Sequence, residues 1–437
     1  MRDLKMMNRY FSTLNVHLSV PCLLMVTLIF GLTGCGGGGA PSPTVPDTQP
    51  RSGSSTSQGE KRTAQSAQPK IERGAKELFL QAGRSASQSP PNYDEAIRLY
   101  DEAYQRDKNL KLALYNIGLS YELKGDQDQA RRFYELAGKQ GVGDGWVNLG
   151  LMALAQGDQG QAEGLFNRAL SVEPLNGRAH LNIAVFAKER KDYDTARASV
   201  RNALKEDSTN ADAYDILAQI YYDLGRYKLA ALVADAGLQD LDQEHAGLWT
   251  TQGLILLKLD DVIKAVRSFQ RAVELDANNF AARLNLGLIT FNYRDYEQSY
   301  QLLSEAVKLK PNHVEALLSL AVAARTNKRL DEARQGYEKV LSLSANHPGA
   351  LFNLAVLDQD YVEVDPSDYT RRIKITQQAL QQYEKVLGMS QDEKLRKKVQ
   401  DRIEEAKIIL EAIEVEREAA AVESATGQSE GEQAPPE

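Results

Sequence analysis

The sequence predicts an all-α protein of about nine helical hairpins followed by a capping helix, because two small-residue positions recur along the chain. The first recurs every 32 to 35 positions, at Gly118, Gly150, Ala184, Ala218, Gly253, Gly287, Ala321 and Ala355. The second lies twelve positions later, at Ala130, Ala162, Ala196, Ala230, Ala265, Ser299 and Ala333. Each unit holds two short helices, and small residues allow these helices to cross closely.

The segment before the repeats has the features of an export signal. A basic start is followed by an apolar run from Leu18 to Leu32, shorter than the roughly 20 residues that a membrane-spanning helix needs. The run ends in Leu32-Thr33-Gly34-Cys35, which resembles the lipobox of bacterial lipoproteins. The resemblance implies that residues 1–34 are a signal peptide and that Cys35 carries lipid. Gly36 favours sorting to the outer membrane, and the alternative is an ordinary secretory peptide.

The charge and the cysteine content of the chain after the signal peptide limit the kinds of partner and site that it can have. The chain has 437 residues, two cysteines and a formal charge of −8. Loss of residues 1–34 removes Cys22 and makes the charge more negative, so no thiol is left for a disulfide or a zinc site. An acidic body disfavours nucleic acid, and we expect membrane attachment through the lipid alone. Residues 35–70 are rich in Gly, Pro and Ser and are predicted to form a flexible tether.

The repeated segments, such as "YNIGLSY", "VNLGLMA" and "LNLGLIT", resemble the tetratricopeptide repeat (TPR) over residues 71–388. The resemblance implies a right-handed superhelix with a concave inner surface lined by the first helix of each hairpin. Aromatic residues such as Tyr134 and Phe166 are expected to fill the gap to the next hairpin. Residues 389–420 are predicted to form the C-terminal capping helix, and residues 421–437 a disordered acidic tail.

Nothing in the sequence indicates catalysis. The histidines of the repeats lie in separate hairpins, and His313 and His347 occupy equivalent places 34 residues apart. Metal-ligand spacings, phosphate loops and nucleophile motifs are not found. We therefore predict a protein that is not an enzyme and that uses no cofactor and no metal.

The inner surface is the predicted partner-binding site. Five units carry asparagine two positions before the small residue, at Asn116, Asn148, Asn182, Asn285 and Asn353. This array resembles the asparagine ladder of O-linked N-acetylglucosamine transferase, which implies that the amides grip the backbone of an extended polypeptide. The alternative is that the amides bond neighbouring helices. Apolar contacts are predicted beside them, at Tyr115, Leu119, Leu181, Leu284 and Phe352.

These features together predict a lipid-anchored scaffold on the periplasmic side of the outer membrane. Its partner would be an envelope protein bound in the groove as an extended segment or helix. The plan resembles the pilotins of type IV pilus secretins and the TPR lipoproteins of gliding motility, and the repeat number favours a motility or trans-envelope complex. The alternatives are a scaffold for peptidoglycan-remodelling enzymes and a module that binds saccharides or small ligands.

Overall fold

The computed structural model describes residues 71–240, 244–362 and 364–430. The predicted signal peptide, the lipidation site Cys35 and the tether lie outside the described residues, as do the last seven residues. Contacts divide the chain into two units. Among the described residues, the first holds 71–191 together with 201–206, and the second holds 192–200 and 207–430 with the gaps given above.

The described part of the chain contains helices in consecutive hairpins and no strand, which confirms the all-α prediction. The nineteen helices are α1 (Arg73–Ser87), α2 (Tyr93–Arg106), α3 (Leu112–Lys124), α4 (Gln127–Lys139), α5 (Gly143–Ala155), α6 (Gln159–Val172), α7 (Gly177–Glu189), α8 (Tyr193–Glu206), α9 (Ala211–Asp223), α10 (Tyr227–Asp240), α11 (Ala246–Lys258), α12 (Val262–Leu275), α13 (Phe280–Asn292), α14 (Tyr296–Leu309), α15 (Val314–Thr326), α16 (Leu330–Leu343), α17 (Pro348–Tyr361), α18 (Tyr369–Met389) and α19 (Glu393–Glu430). Odd-numbered helices from α1 to α17 are the first helices of hairpins one to nine, and α19 follows the ninth hairpin.

Most helices begin at a side chain that accepts a hydrogen bond from the first turn. Asparagine and aspartate do this at most starts, for example Asp126, which accepts from the backbone N–H of Gln129. Three first helices of the second unit use a histidine instead. His245, His313 and His347 accept at Nδ1 from the N–H three residues later, at 2.9, 3.3 and 3.2 Å.

These histidine caps require a neutral ring, because a protonated Nδ1 cannot accept. Burial lowers the pKa of His313, and the charge of Lys310 adds to this effect. Burial likewise lowers the pKa of His347. Folding therefore favours the form of the imidazole that caps the helix.

Each hairpin closes around its small residue. A Cβ placed on Gly150 would lie 2.5 Å from Cε1 of Phe166, and one on Gly118 would lie 2.7 Å from Cδ1 of Tyr134. Both rings are fully buried. The ring of Phe166 also lies 6.0 Å from that of Phe186 in the next hairpin, which agrees with the prediction that such rings reach the next unit. Within its own hairpin, each ring in addition fills a gap beside the first helix. The reason is that removing the Cβ from the first helix makes room for the ring of the second.

The last helix caps the ninth hairpin with one face. Its buried residues are Val399, Ile403, Ala406 and Ile413. The helix extends to Glu430, past the predicted end at residue 420, so the predicted boundary of the disordered tail is wrong for residues 421–430. Alanine and glutamate dominate the turns on either side of that boundary and are strong helix formers. Among the described residues, no helix is both long and apolar enough to cross a membrane.

Candidate protein-binding surface on the first helices

Three of the five predicted asparagines hydrogen-bond to their own helix. The Nδ2 groups of Asn182, Asn285 and Asn353 donate to the carbonyl oxygen four residues earlier, at 2.8, 2.8 and 2.7 Å. Each bond uses one N–H of the amide. The carbonyl oxygen and the second N–H are not used by it, and all three side chains are partly exposed. These amides therefore retain the groups that a polypeptide backbone would need.

The other two asparagines are buried. Asn116 is 7% exposed and Asn148 is 3% exposed. Oδ1 of Asn116 and Nδ2 of Asn148 are buried without a hydrogen-bond partner, an arrangement that typically costs about 1–3 kcal/mol for each group. Burial raises the pKa of the Tyr115 and Tyr134 hydroxyls, and the neighbouring Asn148 side chain works against that rise. Burial keeps both amides from contacting a ligand in this conformation.

An arginine joins three consecutive first helices of the first unit. Nη2 of Arg178 in α7 donates to Oδ1 of Asn148 in α5 at 2.8 Å. Nη1 donates to Oδ1 of Asp144 and to the hydroxyl of Tyr115 in α3, at 3.2 Å each. Asp144 accepts a further bond from Nδ2 of Asn176 at 3.3 Å. We call these residues the Arg178 cluster.

In the Arg178 cluster, the positive charge of Arg178 is balanced by the negative charge of Asp144. Burial opposes the charge of Arg178, but Tyr115 and Asp144 outweigh that effect and raise its pKa above the usual range. Burial raises the pKa of Tyr115, whose hydroxyl therefore remains neutral. Because the side chains of Arg178 and Asp144 are 27% and 20% exposed, the pair lies near the surface without being free in solvent. The cluster fixes the spacing of three first helices and gives this stretch a polar lining.

The predicted apolar contacts belong mainly to the core. Tyr115, Leu119, Leu181 and Leu284 are between 3% and 8% exposed, so they are not available to a partner in this conformation. Phe352 is partly buried and packs its ring 5.8 Å from the ring of Tyr383. The prediction of an apolar strip at these four buried positions is thus wrong. The reason is that neighbouring hairpins pack closely there.

The ion pair of Arg178 and Asp144 was not predicted, although the sequence contains a pattern that indicates it. Both lie six positions before the small residue of their hairpin, and they differ in charge. Equivalent positions in adjacent repeats lie side by side on neighbouring first helices. Opposite charges one repeat apart therefore predict the ion pair.

The described residues contain no group of three or more His, Cys, Asp and Glu side chains that could hold a metal ion. The first helices instead present amides, an arginine ion pair and partly exposed aliphatic residues such as Leu151 and Val185. Such a surface can form hydrogen bonds and apolar contacts with a protein segment.

The chain is similar over part of its length to two proteins of type IV pilus assembly. The chain is 26% identical over 150 residues to the type IV pilus assembly protein PilF of Pseudomonas aeruginosa, which is 34% of this chain and 60% of that relative. A solved structure of P. aeruginosa PilF is 23% identical and covers 49% of this chain and 97% of its own, with a TM-score of 0.44. The structure of PilW, a type IV pilus biogenesis factor, is 17% identical and covers 49% and 98%, with a TM-score of 0.42.

Family matches locate the repeats independently of these relatives. Tetratricopeptide-repeat matches cover residues 112–140, 147–211, 187–245, 246–279 and 293–350, which together make up about half of the chain. They span the hairpins from the second to the eighth. The chain is a member of the tetratricopeptide-repeat family.

Proposed function

We propose that this chain is a lipid-anchored scaffold that binds an envelope protein during type IV pilus assembly. The observation that carries the proposal is the 150-residue similarity to a type IV pilus assembly protein. It favours the pilus over the motility complex that the repeat number alone suggested. The similarity spans about 60% of that relative's length, so the activity of the whole relative belongs to this proposal.

The anchor in this proposal is the lipid on Cys35. The sequence Leu32-Thr33-Gly34-Cys35 supports it, together with the short apolar run before and the Gly- and Pro-rich tether after. Several acyl chains on one residue hold a protein stably at a membrane, whereas a single chain does so only marginally. The repeats would then act on the periplasmic side of the outer membrane.

The binding groups in this proposal are the amides of Asn182, Asn285 and Asn353. Each keeps a donor and an acceptor that its own helix does not use, and a side-chain amide pairs with a peptide backbone whatever side chains the ligand carries. A partner segment lying along the first helices of the second unit would meet Asn285 and Asn353, and Asn182 offers the same groups in the first unit. The buried Asn116 and Asn148 are left out of this set.

Replacement of Asn182, Asn285 and Asn353 together by alanine tests the binding groups. Each lost bond to a partner is worth about 0.5–1.5 kcal/mol, so the triple variant should bind about ten- to a thousand-fold more weakly. Asn167→Ala is the matched control, because Asn167 makes the same bond to the carbonyl four residues earlier but lies on a second helix. It should leave binding unchanged.

The assay is a pull-down from detergent-solubilised membranes with the full chain as bait, followed by affinity measurement on the recovered protein. Recovery of a pilus secretin or another pilus subunit, lost with the triple variant, would support the proposal. Recovery of peptidoglycan hydrolases would favour the cell-wall alternative. Equal recovery with the wild type and the triple variant would refute the role of the amides.

A further inference from the structure

The C-terminal helix α19 is held against the ninth hairpin in one orientation. Its buried face is apolar, with Val399, Ala406 and Ile413 at most 1% exposed. Two ion pairs fix it from the sides. Arg402 pairs with Asp360 of α17, and Nη1 of Arg372 in α18 lies 2.7 Å from Oε2 of Glu416. The opposite face of α19 is therefore directed away from the hairpin.

That opposite face carries a second apolar line, which we call the outer stripe: Ile408, Ala412, Val415 and Ala419. All four are exposed, and Ile408 and Val415 are each 66% exposed. Their spacing of four, three and four residues is the spacing of a coiled-coil seam. A helix that serves only as a cap needs one apolar face, so the outer stripe is not explained by the packing of α19 on the ninth hairpin.

A row of carboxylates accompanies the outer stripe. Glu404, Glu411 and Glu418 are exposed and repeat every seven residues, a step of nearly two full turns of an α-helix. The row therefore runs along one side of the stripe. Glu404 pairs with Lys407 at 3.4 Å on the surface. The stripe is thus apolar with an acidic border.

This acidic border argues against the binding of a second copy of the chain to the outer stripe. In a seam centred on the outer stripe, Glu411 and Glu418 occupy the flanking position that contacts the partner helix. A parallel pair would set Glu411 against Glu416 of the other copy, and an antiparallel pair would set the glutamate rows against each other. Like charges at these positions are destabilising, whereas lysine or arginine on the partner would complement them.

We propose that the outer stripe docks an amphipathic helix of another protein whose apolar seam is flanked by lysine or arginine. Ala412 and Ala419 allow such a helix to approach closely, and Ile408 and Val415 would lie buried in the contact. This interaction goes beyond the proposed function, because it lies on the C-terminal helix and uses none of the amides of the first helices.

The test uses the full chain in detergent and two synthetic peptides of three heptads, both with leucine and isoleucine in the seam. One peptide carries lysine at the flanking positions and the other carries glutamate. Fluorescence anisotropy should show the lysine peptide binding at least tenfold more tightly than the glutamate peptide, and binding should weaken with salt. The variant Ile408→Ser/Val415→Ser should bind the lysine peptide at least tenfold more weakly.

Two further variants distinguish a loss of binding at the outer stripe from a loss of folding. Leu232→Ser/Ile263→Ser alters two equally exposed aliphatic residues elsewhere in the second unit, at 66% and 70% exposure, and should leave binding unchanged. Glu411→Lys/Glu418→Lys keeps the stripe and should reverse the preference between the peptides.

Three results would overturn the proposal. The first is that neither peptide binds saturably, or that the two bind equally. The second is that Ile408→Ser/Val415→Ser binds like the wild type. The third is a wild-type dimer in sedimentation velocity that the same serine variant abolishes, because the stripe would then be occupied by a second copy.

Discussion

The two helices of each hairpin approach closely at the small residue, and this allows a quantitative prediction at Gly150. The Cβ of an alanine there would lie 2.5 Å from Cε1 of Phe166 and 2.9 Å from its Cδ1 and Cζ. Carbon atoms in normal contact are about 3.5–4.0 Å apart, so the buried ring must move by about an ångström. Overpacking of this kind costs about 1–3 kcal/mol, and the better helix propensity of alanine returns about 1 kcal/mol. We expect Gly150→Ala to destabilise the protein by about 0–2 kcal/mol.

The same hairpin offers a matched control at Gly164. This glycine lies in α6, and a Cβ placed on it would meet nothing within 4 Å. Gly164→Ala should therefore show the propensity gain alone and stabilise by about 1 kcal/mol. The difference between the two variants isolates the overpacking term of about 1–3 kcal/mol. Urea unfolding measures it for the whole chain, and hydrogen exchange should place the loss of protection in α5 and α6 first.

A second substitution tests whether the ring is the cause. Phe166→Leu in the Gly150→Ala background supplies the side chain that meets Gly287 in hairpin seven, where Leu303 takes the place of the ring. The smaller side chain should recover stability, with a coupling energy of at least about 0.5 kcal/mol between the two sites. Additive effects of the two substitutions, or equal stability of Gly150→Ala and Gly164→Ala, would refute the reasoning.

Three further predictions concern the anchor, the ion pair and the caps. Cys35→Ala should leave thermal unfolding unchanged and release the chain from membranes, and an intact variant that stays in the membrane fraction would contradict the lipid anchor. Arg178→Met should destabilise by about 1–3 kcal/mol, because it leaves partly buried acceptors without their donor; an unchanged urea midpoint would show that the Arg178 cluster is dispensable. The folded pKa of both His313 and His347 lies below the unfolded value of about 6.5, so their caps stabilise fully above that pH and are lost as pH falls through the folded value. Between pH 7.5 and 5.5 the wild type should lose more stability than His313→Asn/His347→Asn, whose asparagine caps do not titrate, and equal losses would refute this.

The sequence predicts the hairpins well because their cause is local and repeated. Gly118 and Gly150 recur at repeat spacing and are each followed, sixteen positions later, by the ring that occupies the missing Cβ. Any pair of helices with that pattern can therefore pack closely in the same way. The C-terminal helix is harder to bound, because the alanine and glutamate turns around residue 420 favour helix and contain no stop signal before Gly427.

The site is less predictable because burial depends on neighbours in other repeats. Tyr115 and Leu181 have the spacing of a surface strip, but hairpin stacking covers them. Asn148 and Asn285 have the same local sequence context, Asn-Leu-Gly, and yet one is buried and bound by arginine while the other is partly exposed. Local pattern alone does not separate these cases.

The residue that separates them lies six positions before the next small residue. After Asn148 this position is Arg178, whose Nη2 takes the amide oxygen. After Asn285 it is Glu315, whose carboxylate has no proton to donate to that oxygen, and Asn285 bonds its own helix at Ala281. The donor Arg178 on the next first helix thus takes the amide oxygen of Asn148, whereas the acceptor Glu315 leaves that of Asn285 available. Asn116 precedes the acceptor Asp144 and is withdrawn from the surface by burial instead.

Glu315→Arg tests this rule directly. The guanidinium should bond Oδ1 of Asn285 as Arg178 bonds Asn148, which would withdraw one amide from the partner and weaken binding about two- to tenfold, the equivalent of one hydrogen bond of about 0.5–1.5 kcal/mol. Glu315→Met is the control, because it removes the negative charge without supplying a hydrogen-bond donor. The decisive measurement is a double-mutant cycle with Asn285→Ala for partner affinity. If the introduced arginine acts through the amide, Asn285→Ala should have no further effect in its presence, whereas additive losses would show that the new side chain acts by charge alone and that the neighbouring position does not govern the asparagine.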